Sequence, residues 1–292
     1  MQPQSIPAAD GTLLAARFFR PAGTPRAAVL VAGAMGVKQD YYADFARWLA
    51  GQGHLVATFD YRGMGGSLPD GKTLRDVDAD LFDWAADTDA VIAALLAEAP
   101  GAPLQLVGHS LGAQLPGLLA HRDRITGLVS VAAGSGYWRD NAPQLKRIVL
   151  WFWHVAVPVA TFLCGYFPGK RIGKVGNLPR GVILQWRRWC MHPRYHVGAE
   201  GAPVAEKFAQ ARFPIVALSI TDDELMTERG TRVLVDCYPN APRRIERIAP
   251  HDVQARRIGH FGFFRSHFAG TLWTRAAALL DSFHAPTPRT AT

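Results

Sequence analysis

Cysteine is scarce in this chain and follows no recognisable pattern. The three cysteines, Cys164, Cys190 and Cys237, are an odd number and form no CxxC pair and no Cys/His cluster with metal-ligand spacing. These absences argue against a disulfide framework and against a metal site. The N-terminal residues from Met1 to Ser5 also lack the basic and then apolar pattern of a secretory signal. We therefore expect a protein of a reducing compartment, the cytoplasm.

Charge is also sparse, since charged residues make up 19% of the chain, with a formal net charge of +8. The basic residues are scattered and match no nucleic-acid-binding motif, although they are denser between Lys146 and Arg194. The glycine-rich run Asp60–Ser67 is neither a phosphate loop nor a dinucleotide fingerprint, and we interpret it as a structural turn. We expect no nucleic-acid partner, no metal and no cofactor.

Apolar residues, by contrast, form 49% of the 292 residues, enough for one large α/β domain with an insertion. Apolar runs typical of buried strands alternate with segments of helical spacing, and Asp10-Gly11 predicts a hairpin turn. Strands are predicted at Gln4–Ala8, Leu13–Phe19, Ala27–Ala32, Leu55–Phe59, Leu104–Val107, Gly127–Ala133, Pro214–Ile220 and Arg244–Ile248, and helices at Tyr41–Leu49, Asp76–Glu98, Ala113–Ala120, Thr227–Cys237 and Leu272–Phe283. This alternation predicts a mostly parallel, doubly wound sheet. The segment Ala285–Arg289 is expected to be a frayed tail.

The alternation stops between residues 136 and 213. This division predicts a core of residues 1–135 and 214–292 with a helical cap of residues 136–213 inserted. The cap contains the apolar stretch Ile148–Leu163 and the aromatic residues that we expect around a substrate pocket: Trp151, Trp153, Trp186, Trp189 and Tyr195. A cap helix covering a pocket is the favoured interpretation. Contact with a membrane surface and a membrane-spanning helix are the alternatives, and His154 and Pro158 inside the stretch argue against the latter.

The run Gly108–Gly112 has the pattern G-x-S-x-G and lies between a predicted strand and a predicted helix. In that context the motif indicates a nucleophile elbow, a sharp turn that holds a serine hydroxyl at the end of a sheet. Small residues two before and two after the serine are needed, because neighbouring backbone segments press against the turn. Ser110 is therefore the candidate nucleophile.

A serine nucleophile needs a base, and the base needs an orienting acid. His260, in a glycine-flanked loop before the last helix, is favoured over His251. The preceding strand end carries Asp222, Asp223 and Glu224 as acid candidates.

The Asp-x-Arg-Gly-x-Gly-x-Ser run, the Gly-His-Ser-Leu-Gly motif and the late Gly-His together resemble the serine α/β-hydrolases, the group that contains esterases, lipases and serine aminopeptidase-like enzymes. Further features, among them Gly-His-Phe-Gly-Phe-Phe-Arg, resemble a poorly characterised bacterial branch of that group. The resemblance implies an α/β-hydrolase fold and a serine, acid, histidine chain order. In the usual acid loop a glycine precedes the aspartate by three residues. Asp223 has this spacing from Ile220, which replaces the glycine, so Asp223 is favoured over Asp222 and Glu224.

Acyl transfer chemistry also needs two backbone N–H donors for the tetrahedral oxyanion. The resemblance implies that Leu111 supplies one donor and the loop after the Ala27–Ala32 strand supplies the other, either Met35 or Ala34. The favoured function is hydrolysis of a hydrophobic carboxylic ester or thioester through an acyl-enzyme. A serine aminopeptidase-like peptidase, an acyltransferase and a catalytically inactive binding or membrane-associated homologue are the alternatives.

Overall fold

The central feature of the fold is an eight-stranded sheet, seen in a computed structural model that describes residues 2–172 and 175–283. Within these ranges the strands are β1 (Gln2–Pro7), β2 (Leu13–Phe19), β3 (Ala28–Ala32), β4 (Leu55–Phe59), β5 (Leu104–His109), β6 (Ile125–Val131), β7 (Phe167–Pro168), β8 (Asn177–Leu178), β9 (Ile215–Ile220) and β10 (Arg243–Ile248). The strand order is β1-β2-β4-β3-β5-β6-β9-β10, and β7 pairs with β8 in a separate ribbon. Only the pairs β1–β2 and β2–β4 of the large sheet are antiparallel. The predicted doubly wound, mostly parallel sheet is confirmed.

The α-helices of the described chain are α1 (Ala43–Gly51), α2 (Leu81–Glu98), α3 (Pro143–Trp151), α4 (Val157–Cys164), α5 (Arg180–Cys190), α6 (Tyr195–Ala199), α7 (Ala202–Gln210), α8 (Glu228–Val235), α9 (Gly259–Gly262) and α10 (Thr274–Ser282). Side chains of parallel strands alternate between two apolar cores. Leu30 and Leu106 face the core that contains α2, whereas Val31 and Val107 face the core that contains α1 and α10. The predicted tail Ala285–Arg289 lies outside the described residues.

The carboxyl ends of β3 and β5 lie side by side at the point where the strand order reverses. From β3 the chain continues to β4 on one side, while β5 and β6 extend the sheet on the other. In open α/β sheets such a reversal leaves a crevice beyond the strand ends, where ligands bind. Gly33–Met35 follows β3 and Ser110 follows β5, so both predicted catalytic loops meet at this crevice.

The segment after Ser110 differs from its prediction, because no regular α-helix follows β5. The chain instead makes three short 3-10 turns, at Ser110–Ala113, Pro116–Leu118 and Ala120–Arg124. Pro116 lacks the N–H that a continuing α-helix would need. Gly117 lies so close to the Phe208 ring of α7 that an added Cβ would be 2.6 Å from it. The hydroxyl is therefore presented by a strand and a 3-10 turn, without the predicted helix behind it.

Helices α3 to α7 all fall within the predicted insertion. The segment Pro143–Cys164 is helical throughout but contains a π-helical turn at Phe152–Ala156 between α3 and α4. Pro158 explains the turn, since it cannot donate a helical hydrogen bond to the residue four positions earlier. With 22 residues, this helix is long and apolar enough to cross a membrane, and 22% of its most apolar window is buried. Its inward residues, including Val149 and Trp153, belong to the same apolar core as α2.

Candidate active site

Ser110 occupies the strained turn that the motif predicts. Its φ is +52°, a left-handed conformation that is uncommon for a residue with a side chain. A Cβ at Gly108 would lie 2.6 Å from the backbone of Ala113, and one at Gly112 would lie 2.1 Å from the carbonyl oxygen of Ala32. The two motif glycines are therefore required by close backbone contacts. They hold the turn against the end of β3, and Ser110 retains 7% exposure.

His260 and Asp223 form a buried pair on neighbouring loops. Nδ1 of His260 lies 2.9 Å from Oδ2 of Asp223, and both side chains are 2% exposed. The other carboxylate oxygen of Asp223 accepts the backbone N–H groups of Leu225 and Met226, at 2.7 and 2.8 Å. Because a carboxylate can only accept, Nδ1 donates to it, which leaves Nε2 as the ring nitrogen that can accept a proton. The pair thus has the arrangement of an oriented general base.

The other two acid candidates bind the same loop by its backbone. The carboxylate of Asp222 accepts the N–H groups of Ile258 and Gly259, at 3.0 and 3.1 Å. Oε2 of Glu224 accepts the N–H of His260 at 3.1 Å and lies 3.3 Å from the Arg257 guanidinium. Although partial burial opposes it, these bonds hold the pKa of Glu224 below its usual value. Three consecutive acidic residues therefore position one histidine.

His251 is not part of this arrangement. Its side chain is 86% exposed, and its Nε2 lies 3.3 Å from Asp252 on the same short turn. His260, in contrast, lies against the elbow. Its ring centroid is 5.2 Å from that of His109, and its carbonyl oxygen is 3.0 Å from Nε2 of His109, the residue before Ser110. The structure thus brings the loops of Ser110, Asp223 and His260 together.

The two candidates for the second oxyanion donor differ in their hydrogen bonding. The N–H of Ala34 donates to the hydroxyl of Tyr42 at 2.8 Å, so this N–H is already used in a hydrogen bond. Met35 is next in the loop, is 7% exposed and lines the adjoining cavity. Leu111 follows Ser110 directly and is buried at the start of the 3-10 turn. The bond to Tyr42 thus argues against Ala34 as the donor, and Met35 with Leu111 stays the prediction.

A cavity of about 510 Å³ lies between the insertion and the loops after β3 and β9. Its wall includes Met35 and Phe261, which neighbour the oxyanion loop and His260, but Ser110 is not part of the wall described. Of the five aromatic residues predicted to line a pocket, Trp153 and Trp186 do so, with their rings edge to face at 5.1 Å. Three other lining side chains, Ile148, Val149 and Phe152, belong to the apolar stretch that was predicted to cover a pocket. The sequence did not single out Leu145, Leu225 and Met226, which also line the cavity.

Trp151, Trp189 and Tyr195 do not line this cavity, although they lie in the predicted cap. Trp151 is 62% exposed because it lies on the outer face of α3. The indole N–H of Trp189 donates to Glu200 inside the insertion. The hydroxyl of Tyr195 donates to Gln114 at 2.9 Å, joining α6 to the segment after the elbow. Trp189 and Tyr195 thus make contacts within the protein, whereas Trp151 faces outward.

The glycine-rich run after β4 has structural contacts. The carboxylate of Asp60 accepts the N–H groups of Gln39 and Gly66, at 2.8 and 3.0 Å. Arg62 is paired with the buried Asp87. Across residues 2–172 and 175–283, no group of three or more His, Cys, Asp or Glu side chains is arranged to hold a metal ion.

Comparison with known proteins places this geometry in a family. A family model described as serine aminopeptidase, S33, matches residues 23–180. Human monoglyceride lipase is 34% identical over 126 residues, and mouse monoglyceride lipase is 30% identical over 112 residues. The match to the human protein covers 40% of each chain, so it spans less than half the length of that relative.

Solved structures show the fold over nearly the whole chain. A soluble variant of monoglyceride lipase from Saccharomyces cerevisiae, in complex with a substrate analogue, has a TM-score of 0.67 at 16% identity and covers 98% of this chain and 97% of its own. A thermostable carboxyl esterase from Bacillus coagulans has a TM-score of 0.65 at 15% identity, with 97% and 98% covered. With the family match over residues 23–180, the chain belongs to the serine aminopeptidase (S33) family of the α/β-hydrolase superfamily.

Proposed function

We propose that the protein is a serine hydrolase that cleaves carboxylic esters through Ser110, His260 and Asp223. The observation that carries the proposal is the buried 2.9 Å hydrogen bond between Asp223 and His260, on a loop that contacts the residue before Ser110. Membership of a hydrolase family and the similarity to monoglyceride lipases support it.

In the proposed mechanism Oγ of Ser110 attacks the ester carbonyl carbon, and its proton moves to Nε2 of His260. The N–H groups of Leu111 and Met35 donate to the resulting oxyanion. His260 then returns the proton to the leaving alcohol oxygen, which leaves an acyl group on Ser110. A water molecule, deprotonated by His260, attacks the acyl carbon, and collapse of this second intermediate releases the carboxylic acid and restores the serine hydroxyl.

Labelling with a fluorophosphonate probe tests the nucleophile. We expect the wild type to be labelled and Ser110→Ala not to be. Ser130→Ala is the matched control, because Ser130 is a buried serine on the neighbouring strand β6 whose hydroxyl has no partner among the described residues. Labelling of Ser110→Ala, or no labelling of a folded wild type, would refute the assignment.

The cavity supports a hydrophobic acyl group as the substrate moiety. Its wall is formed mainly by apolar side chains from α3, the π-helical turn and the loop after β9. A peptidase that removes N-terminal residues needs a carboxylate free to bind the substrate amine. Glu224 is the acidic residue that lines this cavity, and its carboxylate is already bound to Arg257 and to the His260 N–H. These contacts favour an ester over a peptide.

A chain-length series tests the acyl pocket. We expect p-nitrophenyl esters of medium or long chains to be hydrolysed with higher kcat/KM than the acetate. Val149→Phe, a change at a buried wall position, should lower kcat/KM for the long esters and spare the acetate. Val159→Phe is the control, because Val159 is 52% exposed on the same helical segment. A preference for acetate in the wild type would count against the pocket.

We also propose contact with a membrane surface through the outer face of the helix Pro143–Cys164. This face exposes Trp151, Phe162 and Leu163 at 62%, 83% and 70%. Lys146 and Arg147 are exposed at its start, where they suit anionic lipid headgroups.

Flotation with vesicles of phosphatidylcholine and phosphatidylglycerol tests the membrane contact. We expect the wild type to float and a Phe162→Asp, Leu163→Asp double variant to remain unbound. Leu13→Asp is the control, since Leu13 is 59% exposed on β2, outside the insertion. Equal flotation of the double variant and the wild type would refute a role for this face.

A further inference from the structure

Tyr42 and His109 form a buried chain of hydrogen bonds that touches three loops around Ser110. The N–H of Ala34 donates to the Tyr42 hydroxyl at 2.8 Å, and that hydroxyl lies 2.8 Å from Nδ1 of His109. Nε2 of His109 lies 3.0 Å from the carbonyl oxygen of His260. Tyr42 and His109 are 1% and 0% exposed. The loop after β3, the elbow and the loop of His260 are thus joined out of contact with solvent.

The direction of each hydrogen bond follows from the groups at the ends of the chain. A carbonyl oxygen can only accept, so Nε2 of His109 carries a proton. Burial, with a smaller effect from the nearby His260, lowers the pKa of His109 well below its usual value, so the ring is neutral and Nδ1 accepts. The Tyr42 hydroxyl therefore donates to Nδ1 while its oxygen accepts the N–H of Ala34. Burial also raises the pKa of Tyr42 well above its usual value, which keeps the hydroxyl protonated.

The contacts of Ala34 orient the next peptide group. Its N–H is held by Tyr42, and its carbonyl oxygen accepts the N–H of Val37 at 3.1 Å. In a trans peptide the carbonyl of Ala34 and the N–H of Met35 point in opposite directions. Because the N–H and the carbonyl of Ala34 are both hydrogen-bonded, these two bonds also fix the direction of the Met35 N–H.

We propose that Tyr42 and His109 are positioning residues that hold the oxyanion donor Met35 in register with Ser110 and His260. The proposal rests on the proposed serine hydrolase function, and neither residue touches the reacting atoms in it. The Phe264 ring packs against both rings, with centroids at 4.9 Å from Tyr42 and 5.0 Å from His109. Removal of the hydroxyl alone should leave the Tyr42 ring in place, which makes Tyr42→Phe a selective perturbation.

Tyr238→Phe is the matched control. Tyr238 is also 1% exposed, and its hydroxyl accepts the N–H of Gly117 at 3.1 Å, outside the three loops. Both variants lose one bond from a buried backbone N–H to a tyrosine hydroxyl, and Tyr42→Phe also loses the bond to Nδ1 of His109. Tyr42→Phe should therefore lose somewhat more thermal stability than Tyr238→Phe, while both remain folded.

The kinetic test uses a p-nitrophenyl ester and a boronic acid, whose tetrahedral serine adduct mimics the oxyanion. Loss of a whole oxyanion donor costs about 100-fold to 1000-fold in kcat. For a displaced donor we expect a smaller fall, about 10-fold to 100-fold, in Tyr42→Phe with KM unchanged. Binding of the boronic acid should weaken by the same factor. Tyr238→Phe should keep wild-type values of both.

A second measurement needs no variant. The ¹⁵N NMR shifts of His109 in the wild type should show a neutral ring protonated at Nε2. Protonation at Nδ1 would overturn the proposed chain. Equal kcat in Tyr42→Phe and Tyr238→Phe, or unchanged boronic acid affinity in Tyr42→Phe, would also overturn it while leaving the serine hydrolase intact. A wild type with neither hydrolysis nor fluorophosphonate labelling would refute the proposed function, and the positioning role with it.

Discussion

Replacing Gly112 with alanine should separate stability from activity at the elbow. The added Cβ would lie 2.1 Å from the carbonyl oxygen of Ala32, whereas ordinary contact begins at 3.4 Å. The elbow must therefore move away from β3 by about 1 Å. Overpacking of this kind costs about 1–3 kcal/mol, which a domain of ordinary stability, about 5–15 kcal/mol, can lose and still fold. A displacement of about 1 Å at the reacting atoms, however, lowers the rate by about 100-fold.

Urea unfolding and p-nitrophenyl ester hydrolysis measure the two effects on the same Gly112→Ala preparation. We expect a folded protein with a lower free energy of unfolding and a kcat reduced by about 100-fold or more. Gly51→Ala is the control, because Gly51 ends α1 and an added Cβ meets no atom within 4 Å. It should retain wild-type activity with equal or greater stability. Wild-type kcat in Gly112→Ala would refute the claim that contact with β3 sets the position of Ser110.

Two further predictions concern the acid loop and a buried histidine. Asp223→Asn should lower kcat by about 10⁴-fold, because an amide cannot hold His260 in the required tautomer. Asp222→Asn should lower kcat only about tenfold, because it weakens backbone contacts of the His260 loop. Equal losses of kcat in the two variants would contradict these separate roles. Burial lowers the pKa of His196 to about 3, so between pH 6.5 and 3 the unfolded chain takes up a proton that the folded chain does not. The wild type should therefore lose about 2 kcal/mol of unfolding free energy from this residue between pH 8 and pH 5. His196→Phe keeps a ring against Phe208, and its free energy of unfolding should fall by about 2 kcal/mol less than that of the wild type between pH 8 and pH 5, as measured by urea unfolding. The same pH dependence in the variant and the wild type would refute the assignment of this loss to His196.

Local pattern predicted much of the fold correctly because strands and turns depend on neighbouring residues. The strand Leu55–Phe59 has the predicted bounds, and Asp10-Gly11 does join two antiparallel strands. The α-helix expected after Ser110 is absent, and Pro116 and Gly117 are residues that disfavour an α-helix there.

The pocket residues could not be separated in the same way. Residues two apart on a helix point in directions about 200° apart, so Trp151 and Trp153 face opposite sides. Which of them faces the cavity depends on how the helix packs, and the π-helical turn at Phe152–Ala156 alters its phase. Composition identified an aromatic insertion, but only packing distinguished its inner from its outer residues.

The sequence by itself determined the sheet, the elbow glycines and the family, because each of these is a local pattern with a local physical reason. Only the tertiary structure decided which group each of Asp222, Asp223 and Glu224 binds. These three adjacent carboxylates bind different groups of the His260 loop, which lies 36 or 37 residues further along the chain. The same holds for Ala34, whose N–H is occupied by a tyrosine that no motif connects to it. Contacts between distant segments, set by the packing of whole elements, thus decide what the residues of a recognised motif can do.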